Sequence, residues 1–141
     1  MLAFGVSIAR FGSLPSGPPP PSTEHVEAIV HGVVSVGAGA YEYRQFTVPV
    51  DAVRPIVRGN FFVNSTDGES IQVMILNAES FAKWQSDHIA AENYYSSTEV
   101  TTANLEASVP SGQTLYIVFD NTISETSSKN VNANIELAYL L

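Results

Sequence analysis

Three side chains in "EHVEAIVH", His25, Glu27 and His31, are of the types that hold zinc, and strict strand alternation would place them on one face. The two ends of that set are about 20 Å apart on an extended strand at ~3.3 Å per residue, too far to share one ion. They are therefore expected as exposed strand residues, and His88 as a structural residue near a helix end. In "STDGES", Asp67 and Glu69 flank a glycine and offer carboxylate oxygens of the kind calcium takes. The stretch is too short for an EF-hand loop, and a hairpin turn explains it more simply. Asn64-Ser65-Thr66 has the form of a glycosylation acceptor, which matters only in a glycosylating secretory route. No glycine-rich phosphate loop or nucleophile elbow is present, and the chain contains no cysteine to act as nucleophile or thiolate ligand. Catalytic residues, metal ligands and cofactors are all expected to be none.

A second group carries hydrogen-bonding rather than catalytic chemistry. In "LYIVFDNTISETSSKNVNANIEL", Leu115, Ile117 and Phe119 share one face of a strand and Tyr116 and Val118 the other, and the strand runs into Asp120-Asn121. Asp and Asn side chains bond backbone amides two or three residues on, which locks a tight loop. Ser124 and Ser127 can add hydroxyl bonds, and Lys129 is placed to neutralise Asp120 before the last strand. Asp120, Asn121, Ser124 and Lys129 thus form a candidate structural corner. Trp84, Tyr94, Tyr95, Tyr41 and Tyr43 make up the aromatic set available for a sugar or peptide platform, with packing in the core or at an edge as the simpler expectation.

The ending "YIVFDNTIS…SSKNVNANIEL" resembles the C-terminal signature of GOLD-like β-sandwich domains. In these a Tyr-rich strand ends in a Phe/Trp-Asp-Asn-Ser/Thr corner and a Ser-Lys pair opens the final strand. "GVVSVGAGAYEYRQFTV", "VRGNFFV" and "SIQVMILNAESFAKW" extend the resemblance to a family of small bacterial and archaeal sandwiches sharing that ending. It covers Tyr116, Phe119, Asp120, Asn121, Ser124, Ser128 and Lys129, more loosely Phe81 and Trp84, and spans about residues 32–140. The resemblance implies a protein-interaction module without catalysis, its membrane association open. A cargo-receptor role is not implied, since the coiled coil and membrane anchor of such receptors have no counterpart in this sequence.

The elements that must position these residues follow from composition and periodicity. The chain has 141 residues, enough for one domain that buries roughly two-thirds of its unfolded surface. Charged residues make up 14% against a usual ~25%, with Ser, Thr and Asn supplying much of the polar surface, which suits an extracellular or cell-surface protein. Six basic against fourteen acidic residues give a net charge of −8, which repels phosphate backbones, so nucleic acid is not an expected partner. No apolar run approaches the ~18 residues of a membrane span, and the opening "MLAFGVSIARFGSLPSG" lacks the basic start of a signal peptide.

Proline and glycine divide the chain into an N-terminal arm, residues 1–12, a Pro-rich spacer, residues 13–23, and a sandwich domain, residues 24–141. In the arm, Leu2, Phe4, Val6 and Ile8 alternate with Ala3, Gly5, Ser7 and Ala9, the pattern of a strand in need of a sheet. The spacer favours extended polyproline II at ~3.1 Å per residue, a reach of about 30 Å. Strand-like runs follow at Val26–Val36, Tyr41–Val48, Val53–Val63, Ile71–Leu76, Val100–Val109, Leu115–Phe119 and Val131–Leu140. Asn77 is placed to cap a short helix over about 78–86, with Phe81 and Trp84 one turn apart. The expected fold is all-β: an antiparallel, jelly-roll-like β-sandwich of about eight strands with one short helix and an N-terminal β arm. The expected function is a non-enzymatic structural protein whose arm joins other copies into an oligomer or filament by strand donation. The alternative is a monomeric GOLD-like binding module for a protein, glycan or lipid.

Overall fold

The structure, a computed structural model, describes residues 23–64, 69–89 and 92–141. The arm Leu2–Arg10 and nearly all of the spacer lie outside the described residues, as does Asp67. Among the described residues eight strands and one helix follow in chain order: β1 Glu24–Val36, β2 Tyr41–Thr47, β3 Val53–Val63, β4 Ile71–Asn77, α1 Ala78–Asp87, β5 Tyr95–Val100, β6 Thr102–Ser108, β7 Thr114–Asp120 and β8 Lys129–Leu140. They form two four-stranded sheets of order β1-β8-β3-β6 and β2-β7-β4-β5, in which every paired neighbour is antiparallel. The fold is an antiparallel β-sandwich with the eight-strand, two-sheet architecture of a jelly roll.

Alternation places the core between the sheets. Val57, Phe61, Val131, Ala133, Ile135 and Leu137 face inward from one sheet and Val73, Ile75, Leu115, Ile117 and Phe119 from the other, and these are buried. Each large side chain so buried stabilises the fold by about 1.5–3 kcal/mol. The opposite face of β7 and β4 is also covered. Val118, Met74 and Leu76 pack there with Phe81 and Trp84 of α1 in a second apolar cluster. The helix starts where Asn77 accepts a hydrogen bond from the Ser80 amide at 2.7 Å. It stops at His88, which takes up the left-handed conformation and donates its amide to the Trp84 carbonyl. His88 therefore acts as a helix terminator, its ring tilted 4.9 Å from that of Trp84.

One strand, β5, has no counterpart among the runs expected from sequence. Its core-facing residues, Tyr95 and Val100, are five positions apart because Ser97 and Thr98 both lie opposite Val73 in a bulge. An odd separation removes the period-two signal. The Val73 amide bonds the Ser97 hydroxyl instead of a backbone carbonyl, and Thr98 takes a positive φ of 57°.

Candidate functional site

The four corner residues come together, though not with the bonding expected. Asn121 is 1% exposed. Its amide nitrogen donates to the carbonyls of Gly37 at 3.0 Å and Ser127 at 2.8 Å, while its side-chain oxygen accepts from the Lys129 ammonium at 2.6 Å. Its backbone amide bonds the Ala40 carbonyl, and Ser124 accepts from the Gly39 amide. The corner thus pins the β1–β2 turn to the β7–β8 loop. Asp120 uses one carboxylate oxygen for the Thr122 amide and hydroxyl. Lys129 consequently neutralises a different acid, Glu69, at 3.7 Å. Ser124 and Ser127 contribute backbone groups, since the tight turn brings their carbonyls rather than their hydroxyls to the donors. Asn121 holds the two loops together, Asp120 braces its own loop, and Lys129 ties the corner to Glu69 before β4.

The histidines separate. β1 carries an extra residue at Ile29, so its pairing with β8 shifts between Ala28 and Val30 and alternation inverts. His25 and Glu27 fall opposite Tyr139 and Leu137 on the core side, while His31 points outward. His25 stacks on the Tyr139 ring at 5.5 Å, and the Tyr139 hydroxyl donates to Glu27 at 2.5 Å. That bond, then burial, then the negative charges of Glu27 and Asp51 push the phenol above its ordinary range. Among the described residues no three His, Asp or Glu side chains converge as a metal site would require.

The aromatic set is divided between two packing sites. Tyr41 meets Trp84 edge-on at 4.7 Å and bonds Gln85, and Tyr43 lies against Phe81 at 4.9 Å, all on the helix-covered face. Tyr94 and Tyr95 pack against the main core.

Sheet edges are where a strand-bearing partner would bind, and the four edges differ. β1 has its bulge and the inward-side His25 and Glu27. β2 places Glu42 and Arg44 at positions opposite Phe119 and Ile117 on the core side, 3.9 Å from each other. β5 carries the Ser97-Thr98 bulge. Bulges and inward charges are the devices by which natural sheets refuse further strands. β6 has neither: its register with β3 is regular from Thr102 to Ser108, and its inward residues are Ala103, Leu105 and Ala107. The sequence shows that alternation, but which strand ends a sheet is a property of topology.

No family model matches the chain, and no curated protein matches its sequence. Solved structures align with it at low identity. A periplasmic inhibitor of g-type lysozyme, PliG of Aeromonas hydrophila, aligns at 6% identity and a TM-score of 0.47 over 91% of this chain and 95% of the other. A protein of Bacillus endospore appendages, which form disulfide-linked pili, aligns at 10% identity and a TM-score of 0.47 over 91% and 97%. A family two carbohydrate esterase from Cellvibrio japonicus aligns at 14% identity and a TM-score of 0.33 over 85% of this chain and 34% of the other. No residue role is transferred from any of the three. No helix of the described residues is long and apolar enough to cross a membrane.

Proposed function

We propose that this protein is a non-enzymatic structural subunit that self-associates by strand donation: Leu2–Arg10 of one copy adds to β6 of another, building an extracellular or cell-surface oligomer or filament. The observation that carries the proposal is the contrast among the four edges of the described sheets: three carry bulges or inward charges, and β6 carries neither. Its seven residues span about 23 Å, which a nine-residue arm covers. Leu2, Phe4, Val6 and Ile8 supply the apolar face such a strand needs, each worth about 1.5–3 kcal/mol when fully buried. The spacer's reach of about 30 Å is enough to carry the arm to a neighbour. The GOLD-like ending and the sparsely charged, Ser/Thr/Asn-rich composition fit a protein-binding role outside the cell.

The test is Ala103→Lys, which sets a charge at a partly buried inward position of β6 in the manner of protected natural edges. The variant is expected to fall to monomer mass in sedimentation while keeping its circular dichroism. Retention of the full assembly by a folded variant would remove β6 as the acceptor.

A further inference from the structure

We infer that the outer face of the β1-β8-β3-β6 sheet binds an extended, neutral, β-linked glycan. The registers set His31 opposite Asn134, Asn134 opposite Asn60 and Asn60 opposite Asn104, one residue from each of four strands in a single row. All four are exposed. None makes a side-chain hydrogen bond among the described residues, whereas Asn121 and Asn130 are both engaged. Each carboxamide offers two donors and one acceptor oxygen, the combination that matches pairs of sugar hydroxyls.

His31, Asn134 and Asn60 of this row line one wall of a groove of about 430 Å³, a volume in the range of ligand pockets, and Asn104 continues the row beyond it to the sheet edge. The groove's floor includes Gly59 and Ile135, whose Cα positions pair across β3 and β8. Gly59 has a φ of +154°, and a Cβ there would overlap the Asn134 carbonyl oxygen, so the close approach of the two strands requires glycine. The other wall is Arg58 with Glu136, joined at 2.7 Å, and Arg58 also reaches Glu24 at 3.3 Å. The groove's cation is therefore already held by two carboxylates, and the chain's net charge is −8. An acidic sugar or a phosphate would meet an arginine already paired with two carboxylates on a strongly acidic chain, which favours a neutral ligand. Beyond the amides, the next row contains Phe62, 46% exposed, and Val33, 60% exposed, apolar surface for the C–H faces of sugar rings.

The repeat selects the linkage. Strands are ~4.8 Å apart, so the row presents a polar group at that interval over about 14 Å; an extended β-1,4-linked chain lays successive rings along a straight line, as the row requires. A helical α-linked chain of the same sugars does not keep in step with it. This inference does not depend on self-association.

Calorimetry of the full chain with cellotetraose, and with maltotetraose as the α-linked control, tests it. Saturable binding of cellotetraose is expected, about tenfold or more tighter than maltotetraose, with a further loss of about tenfold in each of Asn60→Ala and Asn104→Ala. Asn104 lies on an edge strand, so its variant keeps the test open if Asn60→Ala folds poorly. Absence of binding to cellotetraose, equal binding of the two sugars, or unaltered binding in folded variants would overturn the inference.

Discussion

Asn121 and Lys129 show how much a single buried amide can hold. Replacing Asn121 by alanine leaves two carbonyls without their donor and a buried ammonium with Glu69 as its remaining side-chain partner among the described residues. The expected loss is about 2–4 kcal/mol, read as a lowered denaturant midpoint, because the cost of unpaired buried groups exceeds that of one ordinary hydrogen bond. Tyr139 provides a pH-dependent counterpart. Its pKa is raised in the folded state, so its contribution is complete below the ordinary phenol value of about 10 and is lost as pH rises through the raised value. Unfolding midpoints should therefore fall on going above pH ~10, and less steeply in Tyr139→Phe; identical pH profiles for the two proteins would refute this. The corner's membership was legible in the sequence because Asp and Asn mark turns by local chemistry. Its bonding was not, since Gly37 and Ala40 reach Asn121 only through the pairing of distant strands.

At the scale of elements, the bulges account for the difference between the expected and observed patterns. Seven runs of the body were readable from alternation, and the helix over about 78–86 forms at Ala78–Asp87 with the Asn77 cap in place. β5 was hidden by the bulge that puts Tyr95 and Val100 on the same side, and the extra residue at Ile29 parted His31 from His25 and Glu27. Helix α1 holds to its sheet through two large rings, and Trp84 is 2% exposed between Tyr41, Phe81 and His88. Trp84→Ala is expected to cost about 3–5 kcal/mol through the cavity it leaves. Thermal unfolding that barely changes would mean that the helix contributes little to the sandwich.

For the whole molecule, two sheets closed over one core leave a protein whose covered and uncovered faces differ. One sheet carries α1 on its outside; among the described residues the other has an uncovered outer face, bearing the asparagine row with exposed Val33 and Phe62, and ends at β6. The sandwich class was legible from many short alternating runs with turn residues between them, whereas sheet order and edge identity arise only from the register of residues far apart in sequence. Self-association by arm donation is tested most directly by the solution mass of the full chain beside that of a chain lacking residues 1–12. The full chain should sediment as an assembly, and the shortened chain as a folded monomer that binds no second copy of itself. A shortened chain that assembles to the same mass and shape as the full one would contradict arm donation.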